Sequence, residues 1–294
     1  MSTDPLVSVV VPAYRNARYV ARTLDSVLRQ TYRHLDVVVA DHSSDDGTWE
    51  RLQPYADDPR VRLLRTEAGG GAERNWNRVT DEARGELVKL VCGDDLLAPT
   101  CLERQVAALR AEPGAVLAAC RRDLVDPADR VLVRGRGLGP LRGRVPGAQA
   151  VRATVRAGTN LLGEPACVLL RTDVVRAVGG WSARDPYLID QDLYVRALRH
   201  GDLVALDEVL AAFRVSATQW SVALAGEQAR QAARLHARVH ADWPEAVSAA
   251  DARLGSLRAV GTAGLRRAAY LVWSRRMRAA PGSGGGVTDL PGGR

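Results

Sequence analysis

The chain is short of several things, and each shortage removes a class of protein. No apolar run reaches the roughly 18 residues of a membrane-spanning helix, so no span is expected. Met1–Pro5 has no basic stretch leading into an apolar one, so no secretory signal is expected. There are only four cysteines, Cys92, Cys101, Cys120 and Cys167, and no two form a Cys-x-x-Cys pair. They predict reduced, mostly buried thiols in a cytoplasmic protein, with neither disulfides nor zinc. Lys89 is the sole lysine, so no Walker A lysine can follow the first strand. The turn there reads Pro12-Ala13-Tyr14-Arg15-Asn16, which also lacks the Gly-x-Gly-x-x-Gly of a Rossmann dehydrogenase.

What is present is an ordinary globular composition. At 294 residues and 46% hydrophobic, the chain can build one large domain or two small ones around a sizeable core. The net charge of +7 is uneven. Residues 251–294 hold eight arginines against Asp251 and Asp289, a balance of +6, which leaves +1 for the rest. Such a basic tail suits either contact with an anionic surface or simple solvation. The basic residues are not interleaved with recognition motifs, so nucleic acid is not expected as a partner.

Strands and helices alternate along the first 120 residues. Strands are predicted at Val7–Val11 (stopped by Pro12), Asp36–Ala40, Val61–Arg65, Glu86–Val91 and Ala115–Cys120. Helices are predicted at Tyr19–Gln30, from about Thr48 to Tyr55, at Ala72–Ala83, and after Pro99 with Leu102, Val106 and Leu109 on one face. This rhythm implies a doubly wound α/β sheet, mostly parallel, with helices on both faces. Further on, Asp126–Arg130 reads as a turn and Gly135–Pro146 as a mobile loop. Helices follow at Pro146–Ala157, Asp173–Val178 and Asp190–His200, with strands at Ala166–Leu170 and Val209–Val215. From about Gln219 the chain reads as a helical extension interrupted near Pro244, with His236 and His240 on its surface. Residues 281–294 read as a disordered tail. The expected division is 1–216 (halves 1–120 and 121–216), 217–280 and 281–294.

Ligands of open α/β sheets sit outside the carboxyl ends of the strands. Three polar loops are predicted there: Pro12–Asn16, the loop from Asp41, and Gly93-Asp94-Asp95. Adjacent carboxylates after a buried strand need a neutralising cation, and Mg²⁺ or Mn²⁺ carried with phosphates is the natural one. Alternatively the loop is solvated and Asp95 helps to cap the next helix. Trp181, Tyr187 and Trp220 read as core aromatics rather than stacking platforms.

Several segments, each weak alone, form a specific ordered set. They are Val7–Tyr14, Leu24–Tyr32, Val37–Thr48, Glu73-Arg74-Asn75, Gly93-Asp94-Asp95, and Asp190-Gln191-Asp192-Leu193 with Arg196. Together, over roughly residues 6–216, they resemble glycosyltransferase family 2. The resemblance implies a GT-A fold, a nucleoside-diphosphate sugar donor, a divalent metal and inversion at the anomeric carbon. It also implies an acceptor that is a glycan, a lipid-linked intermediate or a small molecule.

By position, the resemblance places Pro12, Ala13 and Tyr14 at the nucleoside and has Asp41 accept a hydrogen bond from the base. Arg74 would face the diphosphate, or else stand as a helix-surface arginine. Asp95 would be the metal ligand, with Asp94 closer to ribose or sugar. Asp190 would be the catalytic base, with Asp192 as its rival. Glu164 would shape the acceptor or sugar pocket, or serve as a turn carboxylate. The sequence departs from the family pattern at His42, Ser43, Ile189 and Ser216. At the last, where relatives have histidine, either the metal site has fewer protein ligands or a group such as Ser216 or a water completes it. The departures keep open a sugar-nucleotide-binding module without activity. A cytoplasmic enzyme, peripheral at the inner membrane face through its basic region, is the expected setting.

Overall fold

The computed structural model describes residues 4–215 and 227–278. Ten strands form one sheet: β1 (Val7–Ala13), β2 (Leu35–Asp41), β3 (Val61–Arg65), β4 (Leu87–Leu90), β5 (Leu96–Leu97), β6 (Ala115–Val125), β7 (Val131–Arg136), β8 (Gly143–Val145), β9 (Val168–Arg171) and β10 (Asp202–Arg214). Their order is β3-β2-β1-β4-β9-β6-β10-β5, with β7 beside β6 and β8 beside β10. The half built from β1 to β4 is parallel, as is the β6–β10 pair. The strand read at Ala166–Leu170 becomes β9, and it runs antiparallel to both β4 and β6. Its apolar run carries no signal of direction.

The helices are α1 (Val20–Leu28), α2 (Thr48–Leu52), α3 (Gly71–Asp81), α4 (Cys101–Ala111), α5 (Gly147–Ala157), α6 (Thr172–Ala177), α7 (Ile189–Ala197), α8 (Gln228–Asp242) and α9 (Ala249–Arg278). The fully valine-lined stretch of β1 is buried on both faces, as a central strand requires. Pro12 does not stop it. β4 pairs with β1 only as far as Leu90 opposite Val10, so Pro12 lies where β1 has β2 alone beside it, opposite Ala40. A residue without an N–H is tolerated on such an open side.

Two other expectations are corrected. Gly135–Pro146 is not a loose loop: it contains β8, and Leu138 is fully buried with its N–H donating to the Leu161 carbonyl at 2.5 Å. His236 is not on the surface. It is 1% exposed, with Nδ1 3.2 Å from Ser256 Oγ on α9, and burial pushes its pKa down to about 4. The apolar side of α8 packs on α9, and that side carries His236 inward with Ala232, Leu235 and Val239. The reading of 281–294 and the one at Ser216 lie outside the described residues. No helix among the described residues is long and apolar enough to cross a membrane.

The C-terminal helices are tied to the sheet domain through Asp251. Ser248 Oγ donates to Asp251 Oδ2 at 2.8 Å and accepts from the Asp251 N–H at 3.2 Å, a reciprocal cap on the first turn of α9. The same carboxylate receives Arg152 at 2.9 Å and Arg156, both on α5. These bonds, acting against burial, hold its pKa well below the usual range. Asp251→Ala is expected to cost about 2 kcal/mol in urea unfolding. That is more than a lost cap, and less than a fully buried pair because both arginines reach solvent.

Candidate active site

The loops after β1 and β2 are knitted together by polar groups that neither strand predicts. Arg15 and Ser43 both sit in the left-handed region, at φ 52° and 51°. The Arg15 N–H donates to Ser44 Oγ at 2.9 Å, and its guanidinium makes a paired contact with Asp45 at 2.7–2.8 Å. The Asn16 N–H donates to Thr48 Oγ1 at 2.8 Å, and the Ala17 N–H to Asp46 Oδ2 at 3.1 Å. Tyr14 stands out at the rim, 51% exposed, with its ring edge-on to His42 at 6.0 Å. Pro12 and Ala13 are buried in β1, beside Ala40 and Asp41.

Asp41 ends β2 fully buried. Both carboxylate oxygens accept from the Ser44 N–H at 3.3 Å, and Arg65 Nε lies 3.6 Å away. Arg74 is exposed near the start of α3 and pairs with Glu67 at 3.3 Å. Asp41 stands two strands away from the acidic group described next. β1 separates β2 from β4, which puts their ends about 10 Å apart across the sheet.

That acidic group gathers at the end of β4. Gly93 crosses Asn16 so closely that a Cβ would lie 2.8 Å from Asn16 Oδ1, so the loop needs glycine. Asp95 follows, 0% exposed, with Oδ1 accepting the Arg214 N–H at 3.2 Å and its carbonyl accepting Thr23 Oγ1 at 2.9 Å. Asp95 Oδ2 is buried without a hydrogen-bond partner. Burial, then Asp94, pushes this carboxyl well above the ordinary range, with Glu164 adding to the effect. The Cys92 thiol is pushed up by burial and then by Asp95, Asp94, Asp190 and Glu164 together. One side chain thus feels four carboxylates that come from three separate segments.

Asp190 lies in the first turn of α7. Asn160 Nδ2 donates to its Oδ2 at 2.9 Å, and the Gln191 N–H to its Oδ1 at 2.7 Å. Burial, then the charge of Glu164, raises its pKa to about 7, and these hydrogen bonds to the ionised form pull the other way. Glu164 itself is gripped by Arg122, whose Nη2 donates to Oε1 at 2.9 Å and whose Nε lies against Oε2. Asp192 faces elsewhere, paired with Arg196 at 2.8 Å and Arg238 at 3.4 Å. Tyr194, one turn beyond Asp190, is buried, and its hydroxyl has no hydrogen-bond partner.

The sequence reading passed over Asn160, Arg122, Tyr194 and Arg214. Only the spacing of Tyr194 four residues after Asp190, on one helix face, was available in advance. Because the Asn160 bond favours the carboxylate, Asn160→Ala should raise the Asp190 pKa further. The acidic limb of a kcat/KM profile, read against pH, is then expected to move to higher pH.

Among the described residues, no group of three or more acidic, histidine or cysteine side chains is arranged to hold a metal. The residues nevertheless fit a Mg²⁺ or Mn²⁺ that arrives with phosphates, which needs only one or two carboxylates. Asp95 Oδ2, buried and unbonded, is the oxygen available for it. A cavity of about 280 Å³ opens elsewhere, beside the later turns of α7, with Arg196, Arg199, Arg238 and Trp243 in its wall. Of the residues that carry the family resemblance, its wall includes Asp192 and Arg196, which pair with each other.

The family model described as Glycosyl transferase family 2 matches residues 8–179. An uncharacterized Mycobacterium tuberculosis protein is 33% identical over 204 residues, which is 66% of this chain and 62% of that one. The Streptococcus pneumoniae glycosyltransferase GlyG is 33% identical over 99 residues, 33% of each chain. The matches therefore span less than two thirds of these relatives. Among solved structures, the Pyrobaculum calidifontis mannosyltransferase PcManGT, in complex with GDP-Man and Mn²⁺, superposes with a TM-score of 0.63 at 19% identity. It covers 95% of this chain and 81% of that one. S. aureus TarS with UDP-GlcNAc gives 0.63 at 17% identity, covering 80% and 66%. Both share the fold.

Proposed function

This chain belongs to glycosyltransferase family 2 and has the GT-A fold; we propose that it is a glycosyltransferase that moves a sugar from a nucleoside diphosphate to an acceptor hydroxyl, with inversion and with Mg²⁺ or Mn²⁺. The observation that carries this reading is that Asn160 Nδ2 bonds both Asp190 Oδ2 and the Gly163 carbonyl, which ties Asp190 to the Glu164 loop, and that this loop leads into β9 beside the end of β4, where Asp94 and Asp95 follow. Solved neighbours that carry UDP-GlcNAc, or GDP-Man with Mn²⁺, support the donor class.

In this reading Pro12, Ala13, Tyr14 and Asp41 form the nucleoside end, and Arg74 serves the diphosphate. Asp94 lies toward the ribose or sugar, and Glu164, held by Arg122, borders the acceptor. Asp95 would hold the cation, which when bound supplies positive charge against the departing diphosphate. Asp190 takes the proton of the acceptor hydroxyl as the new C–O bond forms and the anomeric carbon's bond to the diphosphate breaks. Asn160 and the Gln191 N–H hold that carboxylate in place. The acceptor is a glycan, a lipid-linked intermediate or a small molecule. Residues 1–216 are the catalytic unit, with 1–120 for the nucleotide and 121–216 for the acceptor, and the two helices within 228–278 are its C-terminal extension. The setting is the cytoplasm, at an anionic membrane face drawn to the net positive charge of residues 251–294.

A thermal-shift screen of UDP, GDP and TDP, with and without Mn²⁺, tests the reading. Stabilisation follows RT ln(1 + [L]/Kd), about 2.7 kcal/mol at one hundred times Kd. At least one nucleotide should raise Tm, and raise it more with the metal. No shift from any of the three would overturn the assignment.

A further inference from the structure

Arg214 closes β10, and its side chain is 0% exposed. A buried guanidinium is costly unless its donors are met with good geometry. Here Nε and Nη1 converge on one loop and one turn. Its main-chain N–H donates to Asp95 Oδ1 at 3.2 Å, and its Nε to the Asp94 carbonyl at 2.9 Å. Its Nη1 donates to the Asp126 carbonyl at 3.2 Å and to Asp129 Oδ1. The guanidinium lies over the Tyr19 ring, 4.4 Å from its centre.

Asp129 sits in the β6–β7 turn with φ 64°, and it also receives Arg22 from α1. The turn is braced from within. Asp126 Oδ1 accepts the Ala128 and Arg130 N–H groups at 2.8 and 2.9 Å. Thr23, also on α1, holds the Asp95 carbonyl from the other side. Asp95 is therefore fixed at its carbonyl and at Oδ1, and Oδ2 is the atom left over.

We propose that Arg214 is a positioning residue: it clamps the Asp94–Asp95 loop against the β6–β7 turn, so that Asp95 Oδ2 is presented to the cation. Arg214 acts through Asp95 and its main chain, and Asp129 acts through Arg214. The inference rests on the metal role proposed above for Asp95. Groups that orient a metal ligand without touching the metal commonly change affinity about 10- to 100-fold when removed. A lysine at 214 keeps the charge but loses the fork that reaches Asp94 and Asp129 together.

The test measures Mn²⁺ affinity directly, by electron paramagnetic resonance, in the presence of whichever of UDP or GDP stabilises the wild type. Arg214→Lys and Asp129→Asn are compared with Arg62→Lys. Arg62 is a partly buried arginine paired with Asp36 and Glu82, away from the site. Melting curves accompany each variant, and binding is read well below its Tm. The expected result is a Mn²⁺ Kd about 10- to 100-fold weaker for Arg214→Lys and Asp129→Asn, and unchanged for Arg62→Lys even if its Tm falls. Asp129→Asn alters only a turn side chain, so it tests the clamp even if Arg214→Lys does not fold. Wild-type binding with an unchanged Kd in the variants, whatever their Tm, overturns the clamp alone. A wild type that binds no Mn²⁺ overturns the metal reading and the clamp with it.

Discussion

Asp190→Asn is expected to lower kcat by about 10²- to 10⁴-fold, the usual worth of a positioned general base, with nucleotide affinity kept. Steady-state rates with hydrolysis of the donor as readout, alongside nucleotide binding, check it. Asparagine fills the same space, but its single amide oxygen can accept from Asn160 or from the Gln191 N–H and not from both, so the nucleotide binding measured alongside separates a missing base from a misshapen loop. The same variant carries a stability signature. The Asp190 pKa is raised to about 7 in the folded chain, chiefly by burial and then by Glu164. The folded state therefore holds this proton more tightly than the unfolded one. Stability linked to the group is full below the ordinary carboxyl pKa of about 4 and is lost as pH rises toward 7. The asparagine variant cannot ionise, so its Tm relative to wild type should climb between pH 5 and pH 8. A variant that gains stability while losing turnover would mark Asp190 as a carboxylate kept at a cost to the fold.

Asp95→Asn is expected to have the second large effect. Its Oδ1 can still accept from the Arg214 N–H, so the loop should keep its course. What changes is the oxygen that is buried without a partner, which becomes an uncharged NH₂ that cannot ligate a cation. kcat/KM should fall by at least about 10²-fold, the scale of a lost electrostatic stabiliser of the leaving group. The extra thermal shift that Mn²⁺ gives with nucleotide should vanish, while the metal-free nucleotide shift remains. Retention of that metal-dependent shift would remove Asp95 from the metal role.

Much of the architecture was legible because it is written in local periodicity. Val61–Arg65 reads as a strand and is β3 with the same bounds. The strand–helix alternation through residue 120 is enough to imply a sheet with its ligand loops at one end. Where the reading slipped, the deciding contact lay far away in sequence. Pro12 stays in β1 because β4 ends early, and His236 turns inward because α9 covers it. The direction of β9 follows from its neighbours β4 and β6, which its own apolar residues do not record.

The same division runs through the site. Motif spacing and hydrophobic period are local properties, so the family, the fold and the acidic residues, by type and position, can be read along the chain. Which groups hold them follows from how the distant parts of the chain pack. Arg214 reaches Asp95 across 119 positions, Arg122 reaches Glu164 across 42, and Asn160 reaches Asp190 across 30. Those hydrogen bonds exist because buried charge must find partners wherever the packed chain supplies them, and no local pattern of residues encodes that meeting.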